Sequence, residues 1–321
     1  MIKKTFTTIL ISLTLTLSLF AWGKKNPVPT LSANKDCVFW EINGKDKNGE
    51  DSRLYVLGTF HLADERLQIP EKVFKAFDSA DRLVGEMSSN DWQDVMFATL
   101  IRQGESGLRE NQRVRETGKP LMTYFSEEQL GFLLQMFGGN QAMLANLCAY
   151  EPWVLSSNVN LIPAQMSGLN PNMGVDQILI QRAMMSGRYI EGLDTLDAQL
   201  DILSFGDWET QLEMLLDSVT ELMENTEETV NYMKDIYNAY LEVDLEELNT
   251  LFEEDKFLDE ENSYSDEYYE TLIVDRNTSW ADKFSEYLNE GGTTFIFAGT
   301  AHFVGEDSVF EIMKDEKTLK F

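Results

Sequence analysis

Two short stretches near opposite ends of the chain restrict its fold more than anything else in it. Leu54-Tyr55-Val56-Leu57-Gly58-Thr59-Phe60-His61 reads as a buried strand that stops at a glycine and presents a histidine three residues later. Thr294-Phe295-Ile296-Phe297-Ala298-Gly299-Thr300-Ala301-His302 repeats the phrase. His61 and His302 are the only 2 histidines in 321 residues, and 20 of those residues are glycine. Glycine at one fixed offset from both histidines therefore arises by chance about once in 250, so the repeat is a signal. Apolar runs without alternation suit strands covered on both faces, and such sheets place ligand sites at the carboxyl ends of their strands. A glycine at each exit permits a positive φ or a close approach to another group. The repeat predicts two imidazoles in one cleft. The bland alternative is two satisfied histidines beside unrelated strands.

The rest of the chain supplies a sheet for these strands. Residues 37–42 and 53–58 read as two strands joined by a polar turn containing Asn48-Gly49. Pro70 opens a helix over 71–80, and the strand at 81–87 ends on Glu86. Strand, helix, strand is a βαβ unit with parallel strands, which sends Glu86 out at the same end of the sheet as His61. The pattern then turns helical. It predicts helices at 91–103, at the Ser126-Glu127-Glu128-Gln129 capping box as far as Gly138-Gly139, at 140–149 and at 176–185. A polar stretch follows 103, and 158–174, with Pro163 and Pro171, reads as an irregular lid. A strand at 188–194 also ends on acid, Asp194, and a helix follows over 195–204. Residues 207–254 read as helical and 253–267 as a solvated acidic loop. Helices at about 268–289 and 307–314 flank the last strand. The fold class expected is mixed α/β. A partly parallel sheet from the N- and C-terminal segments carries a large helical middle, as one domain over 37–321 with a helical insertion at about 91–290.

The N-terminus has a different character. Met1-Ile2-Lys3-Lys4, the apolar run 6–22 and Ala21-Trp22-Gly23 have the three parts of a secretory signal over 1–23, with a tether at 24–36. An uncleaved anchor is the alternative. The reading is extracytoplasmic, periplasmic or secreted, with no stable membrane span after cleavage. Against 26 basic residues stand 55 acidic ones, a net charge of −29, or −31 once Lys3 and Lys4 leave. Such a surface repels phosphate backbones, so nucleic-acid partners are excluded. Cys37 and Cys148 lack the spacing of a zinc site and are read either as a disulfide or as two free thiols.

Two histidines with strand-end carboxylates form a set that holds a divalent metal, since neutral imidazole is a ligand and a carboxylate adds charge. A catalytic site of that kind keeps a position open for water. The metal-free alternative is acid–base work by His61 or His302 with Glu86. HExxH, Walker A, GxGxxG and GxSxG are all absent.

Taken together, Gly58-Thr59-Phe60-His61, Glu86, Gly174-Val175-Asp176, Gly192-Leu193-Asp194-Thr195 with Gln199, Arg276-Asn277 and Gly299-Thr300-Ala301-His302 with Gly305 resemble the TraB/GumN family in residues and order. That family includes the Tiki membrane-associated proteases. The chain departs from its pattern at Asp194, where the family usually has Glu, and at 317–321, which lacks a glycine. The resemblance implies a divalent-metal-dependent hydrolase, with Mn, Co or Zn as cofactor and a peptide or protein as substrate. It makes His61, Glu86 and His302 the metal-binding and catalytic residues. Asp176, Arg276 and Asn277 become substrate-binding supports of the pocket, with Arg276 steadying a substrate carboxylate or oxyanion. A non-catalytic peptide- or haem-binding protein on the same scaffold is the alternative.

Overall fold

The structure, a computed structural model, describes residues 26–254 and 264–321. The expected signal, 1–23, lies outside the described residues, as does most of the expected acidic loop.

Six strands form one mixed sheet: β1 (Thr30–Ala33), β2 (Phe39–Lys45), β3 (Asp51–Thr59), β4 (Arg82–Gly85), β5 (Ile190–Gly192) and β6 (Gly292–Gly299). Their spatial order is β1-β2-β3-β6-β4-β5. The β1-β2 and β2-β3 pairs are antiparallel, and the other three are parallel. The expected hairpin forms. Asp46 Oδ1 accepts from the backbone N–H of Asn48 and Glu50, and Gly49 takes φ +85°. The expected βαβ unit also forms, through α1 (Glu71–Ser79), but its strands are not neighbours, because β6 lies between them. The reason is burial. Phe295, Ile296 and Ala298 are each fully buried, and only a central position covers a strand on both faces.

The helices are α2 (Ser89–Thr117), α3 (Glu127–Met136), α4 (Gln141–Leu147), α5 (Pro152–Val159), α6 (Ile162–Ser167), α7 (Val175–Ser186), α8 (Leu196–Leu203), α9 (Trp208–Glu224), α10 (Thr226–Glu242), α11 (Leu245–Glu254), α12 (Ser265–Tyr269), α13 (Asp275–Glu290) and α14 (Val309–Asp315). Four expectations are corrected. The stretch expected as a tether contributes β1, whose Leu31 packs on the sheet core. The polar stretch after 103 continues α2 to Gly118, which caps it at φ +71°, because a helix facing water on most sides stays polar. The expected lid is the end of α5, then α6 and a 3-10 turn (Pro171–Met173). Pro163 and Pro171 sit in first turns, where proline starts helices, and Ile162, Pro163 and Ala164 are buried. The single helical stretch expected over 207–254 is three helices, broken at Asn225 and at Val243, which takes φ +58°.

Apolar side chains gather in two clusters among the described residues. One surrounds the sheet, where Phe77 of α1 meets Phe295, Tyr237 of α10 meets Phe60 and Phe284 of α13 meets Phe303. The other lies inside the helical middle, where Leu133, Leu155, Leu215 and Val219 meet. Cys37 and Cys148 are free thiols, and burial pushes them up to about 11 and about 12. No helix among the described residues is long and apolar enough to cross a membrane.

Candidate functional site

The two histidine phrases end side by side. β3 and β6 are adjacent and parallel, with Gly58 opposite Ala298 and Thr59 opposite Gly299, so both chains leave the sheet at the same edge. Thr300 Oγ1 donates to Thr59 O (2.9 Å) and ties the exits together. Neither Gly58 nor Gly299 has a positive φ. Close approach requires the first, while the second keeps the cleft open. A Cβ on Gly58 would lie 2.7 Å from Val38 Cγ1, and one on Gly299 would stand 3.4 Å from Glu86 Oε1 and 3.7 Å from both His61 Nε2 and His302 Cδ2. Gly299 is the floor on which His61, His302 and Glu86 converge.

Each imidazole is oriented from behind. His61 Nδ1 lies 2.8 Å from Asp176 Oδ2, and Thr59 Oγ1 donates to the other oxygen, Oδ1, at 2.6 Å. Asp176 comes from the first turn of α7, which docks through Val175 N–H to Phe60 O (3.0 Å). Gly174 lets it dock, since a Cβ there would fall 2.3 Å from His61 O. A carboxylate only accepts, so His61 Nδ1 donates and Nε2 faces the cleft. His302 Nδ1 lies 2.6 Å from Asn277 Oδ1. The amide orientation follows from Asn277 Nδ2 donating to Asp307 O (2.7 Å), so Oδ1 accepts and His302 Nδ1 carries the hydrogen. No side chain among the described residues bonds His302 Nε2.

Glu86 follows β4, and Asp194 follows β5, held by its N–H to Glu86 O (2.8 Å). Arg276 bridges the two carboxylates: Nη2 to Glu86 Oε2 at 2.7 Å, Nε to Asp194 Oδ2 at 2.9 Å, and Nη1 to Leu272 O at 3.0 Å. A π-turn (Glu270–Val274) precedes α13 and this arginine. Asp194 also accepts from Gln199 Nε2 (2.9 Å) and Trp280 Nε1 (2.8 Å), and the Trp280 ring lies 4.3 Å from that of His302. Arg276 is thus neither a helix-surface salt bridge nor an idle guanidinium. One of its donors holds Glu86, and two more, to Asp194 and to Leu272 O, fix the guanidinium that does so.

Charge separates the three central groups. Asp176, against the cost of burial and aided by Glu86, pushes His61 up to about 9, although solvent contact over 66% of the side chain screens part of that pull. Burial would raise Glu86, but His61, His302, Arg276 and the Gly299 N–H (2.8 Å to Oε1) outweigh it and hold its pKa at about 2. Burial, reinforced by Arg276, pushes His302 down to about 3, leaving it a neutral imidazole.

The donor chemistry suits a divalent cation. Two ring nitrogens with fixed tautomers face a carboxylate whose two hydrogen bonds leave lone pairs to spare. The cleft carries the opposite charge, and a cation would take the place of the proton on His61. Among the described residues, no group of three or more His, Cys, Asp or Glu side chains is arranged so as to hold a metal ion, and His61 Nε2 lies 4.0 Å from Glu86 Oε1.

The sequence profile of the TraB/PrgY/gumN family matches residues 38–318. The chain belongs to that family. An uncharacterized protein of Treponema pallidum (strain Nichols) is 29% identical to it over 301 residues, covering 92% of this chain and 86% of that protein. No solved structure matches it. The family's motif residues named from the sequence (His61, Glu86, Asp176, Asp194, Gln199, Arg276, Asn277 and His302) all fall in this one cleft. Thr59, Trp280 and the Gly299 N–H belong to it too. Thr59 and Gly299 were visible as part of the repeated phrase, whereas Trp280, one turn after Arg276 on α13, carried no local signal.

Proposed function

We propose that this chain is a divalent-metal-dependent hydrolase of peptide bonds, acting outside the cytoplasm, with His61, Glu86 and His302 holding the ion. The observation that carries the reading is the pair of backed imidazoles. Asp176 and Asn277 each occupy an Nδ1, which commits both Nε2 atoms to one cleft beside a carboxylate. When bound, the ion would supply Lewis acidity and a water acidified toward neutral pH. The chain's own residues do the rest. Arg276, locked by Asp194, keeps Glu86 ionised and in place. His302 is buried and His61 exposed, so substrate approaches from the His61 side. The missing side chain of Gly299 leaves space for the reacting group. The peptide substrate rests on the resemblance to the Tiki proteases, and export rests on the N-terminal 23 residues.

The test is metal content by mass spectrometry together with hydrolysis of a peptide library. The expected result is about one Mn, Co or Zn ion per chain, lost in both His61→Ala and His302→Ala along with activity. Full metal affinity and activity in both variants would discard the proposal. Activity that survives chelation would replace the ion with acid–base work by the His61–Asp176 pair.

A further inference from the structure

The cleft accounts for one edge of the sheet, but not for α2. This helix exposes Met96 (74%), Phe97 (67%), Leu100 (58%), Ile101 (48%) and Leu108 (74%) along one side. Apolar residues scattered singly need no explanation, whereas a continuous stripe marks a contact surface. The stripe has a defined period. Asp94, Phe97, Ile101, Gly104, Leu108, Asn111 and Arg115 recur at alternating steps of three and four, the seam of a two-helix coiled coil, and every one of them is exposed.

The seam also has a sense. An acid stands at its N-terminal end, a base at its C-terminal end, apolar Phe97, Ile101 and Leu108 with polar Asn111 lie inside these, and a glycine is at the centre. Laid antiparallel on a copy of itself, Asp94 meets Arg115, Phe97 meets Asn111, Ile101 meets Leu108 and Gly104 meets Gly104. Laid parallel, Asp94 would face Asp94 and Arg115 would face Arg115. Neither residue has an ion-pair partner among the described residues. The glycine is a second, independent observation. Gly104 sits mid-helix, where glycine is unfavourable, and a Cβ there would touch nothing within 4 Å. Its neighbour Gly107 is explained by Tyr150, 3.2 Å from such a Cβ. Nothing within this chain uses Gly104, and close approach of two helices does. Twofold pairing of identical surfaces is also the commonest form of soluble assembly.

We propose that α2 is the interface of a twofold-symmetric dimer of this chain, its seven-position seam packed antiparallel against the same seam of a second copy about Gly104. The occupant is a second copy because the charge order of the seam complements itself only in that direction.

Sedimentation velocity of the purified full chain over a concentration series tests this. The wild type is expected to show a monomer–dimer equilibrium. Ile101→Glu combined with Leu108→Glu should raise the dissociation constant by at least about a hundredfold. Asp94→Arg and Arg115→Asp should each weaken the dimer by about tenfold, and the two together should restore it. All four positions are exposed, so far-ultraviolet circular dichroism should be unchanged. Under mild oxidation Gly104→Cys should yield a covalent dimer, while Gln93→Cys should not, since the two copies of Gln93 would lie roughly 33 Å apart. A monomer at every concentration, a dimer indifferent to these substitutions, or cross-linking at both cysteines would overturn the proposal.

Discussion

The exits of β3 and β6 start from the same phrase and arrive at opposite environments. His61 ends in a bend, with 66% of its side chain exposed and an acid behind it. His302 ends in a 3-10 turn (Thr300–His302), is 5% exposed and has an amide behind it. The acid pulls a proton onto the first ring, and burial keeps one off the second. Their glycines divide in the same way: Gly58 makes room for the sheet's own packing, Gly299 for the cleft. A repeated sequence phrase therefore specifies where a side chain leaves a sheet. The chemistry of that side chain is set by what packs behind it.

That comparison can be broken or sharpened experimentally. The largest effect is expected from Arg276→Leu, which removes the shared partner of Glu86 and Asp194, 15% and 9% exposed. Two carboxylates left without their cation should cost about 3–5 kcal/mol of stability, read by urea denaturation. A smaller loss would mean that Trp280, Gln199 and Gly299 suffice to hold them. Next are the two glycines. Gly58→Ala must displace Val38 or the tie from Thr300 and should lose about 1–3 kcal/mol. Gly299→Ala meets only ordinary contacts, so it should stay within about 1 kcal/mol of wild type while metal affinity falls at least about tenfold. Equal unfolding midpoints for the two variants would erase the division of roles. The mildest pair addresses the groups behind the rings. Asp176→Ala should weaken metal binding by about 10–100-fold. Asn277→Ala should do the same and also cost about 1–3 kcal/mol, because it strands the buried Nδ1 of His302. Titration calorimetry with Mn separates the first effect from the second.

Apart from β1, which was read as part of a tether, the strands, the helix starts and the exits after Gly58 and Gly299 were legible because each depends on nearby residues: an apolar run, a capping box, a proline in a first turn. The middle of the chain was harder. The polar half of α2 looked like a loop because solvent-facing helices and loops share a composition, and Pro163 and Pro171 looked like breaks because proline both starts helices and stops them. The family resemblance named the motif residues without saying which would touch. Asp176 behind His61, Asn277 behind His302, and Arg276 between Glu86 and Asp194 join positions 115, 25, 190 and 82 residues apart.

Local pattern settles where this chain forms all but the first of its strands and where its two imidazoles leave them, since apolar runs, turn chemistry and the permissiveness of glycine act over a few residues. Folding in three dimensions settles that β6 inserts between β3 and β4 and that one ring is wet and the other dry. Burial and pairing of charge belong to neighbours brought together by packing, and no window of sequence contains them.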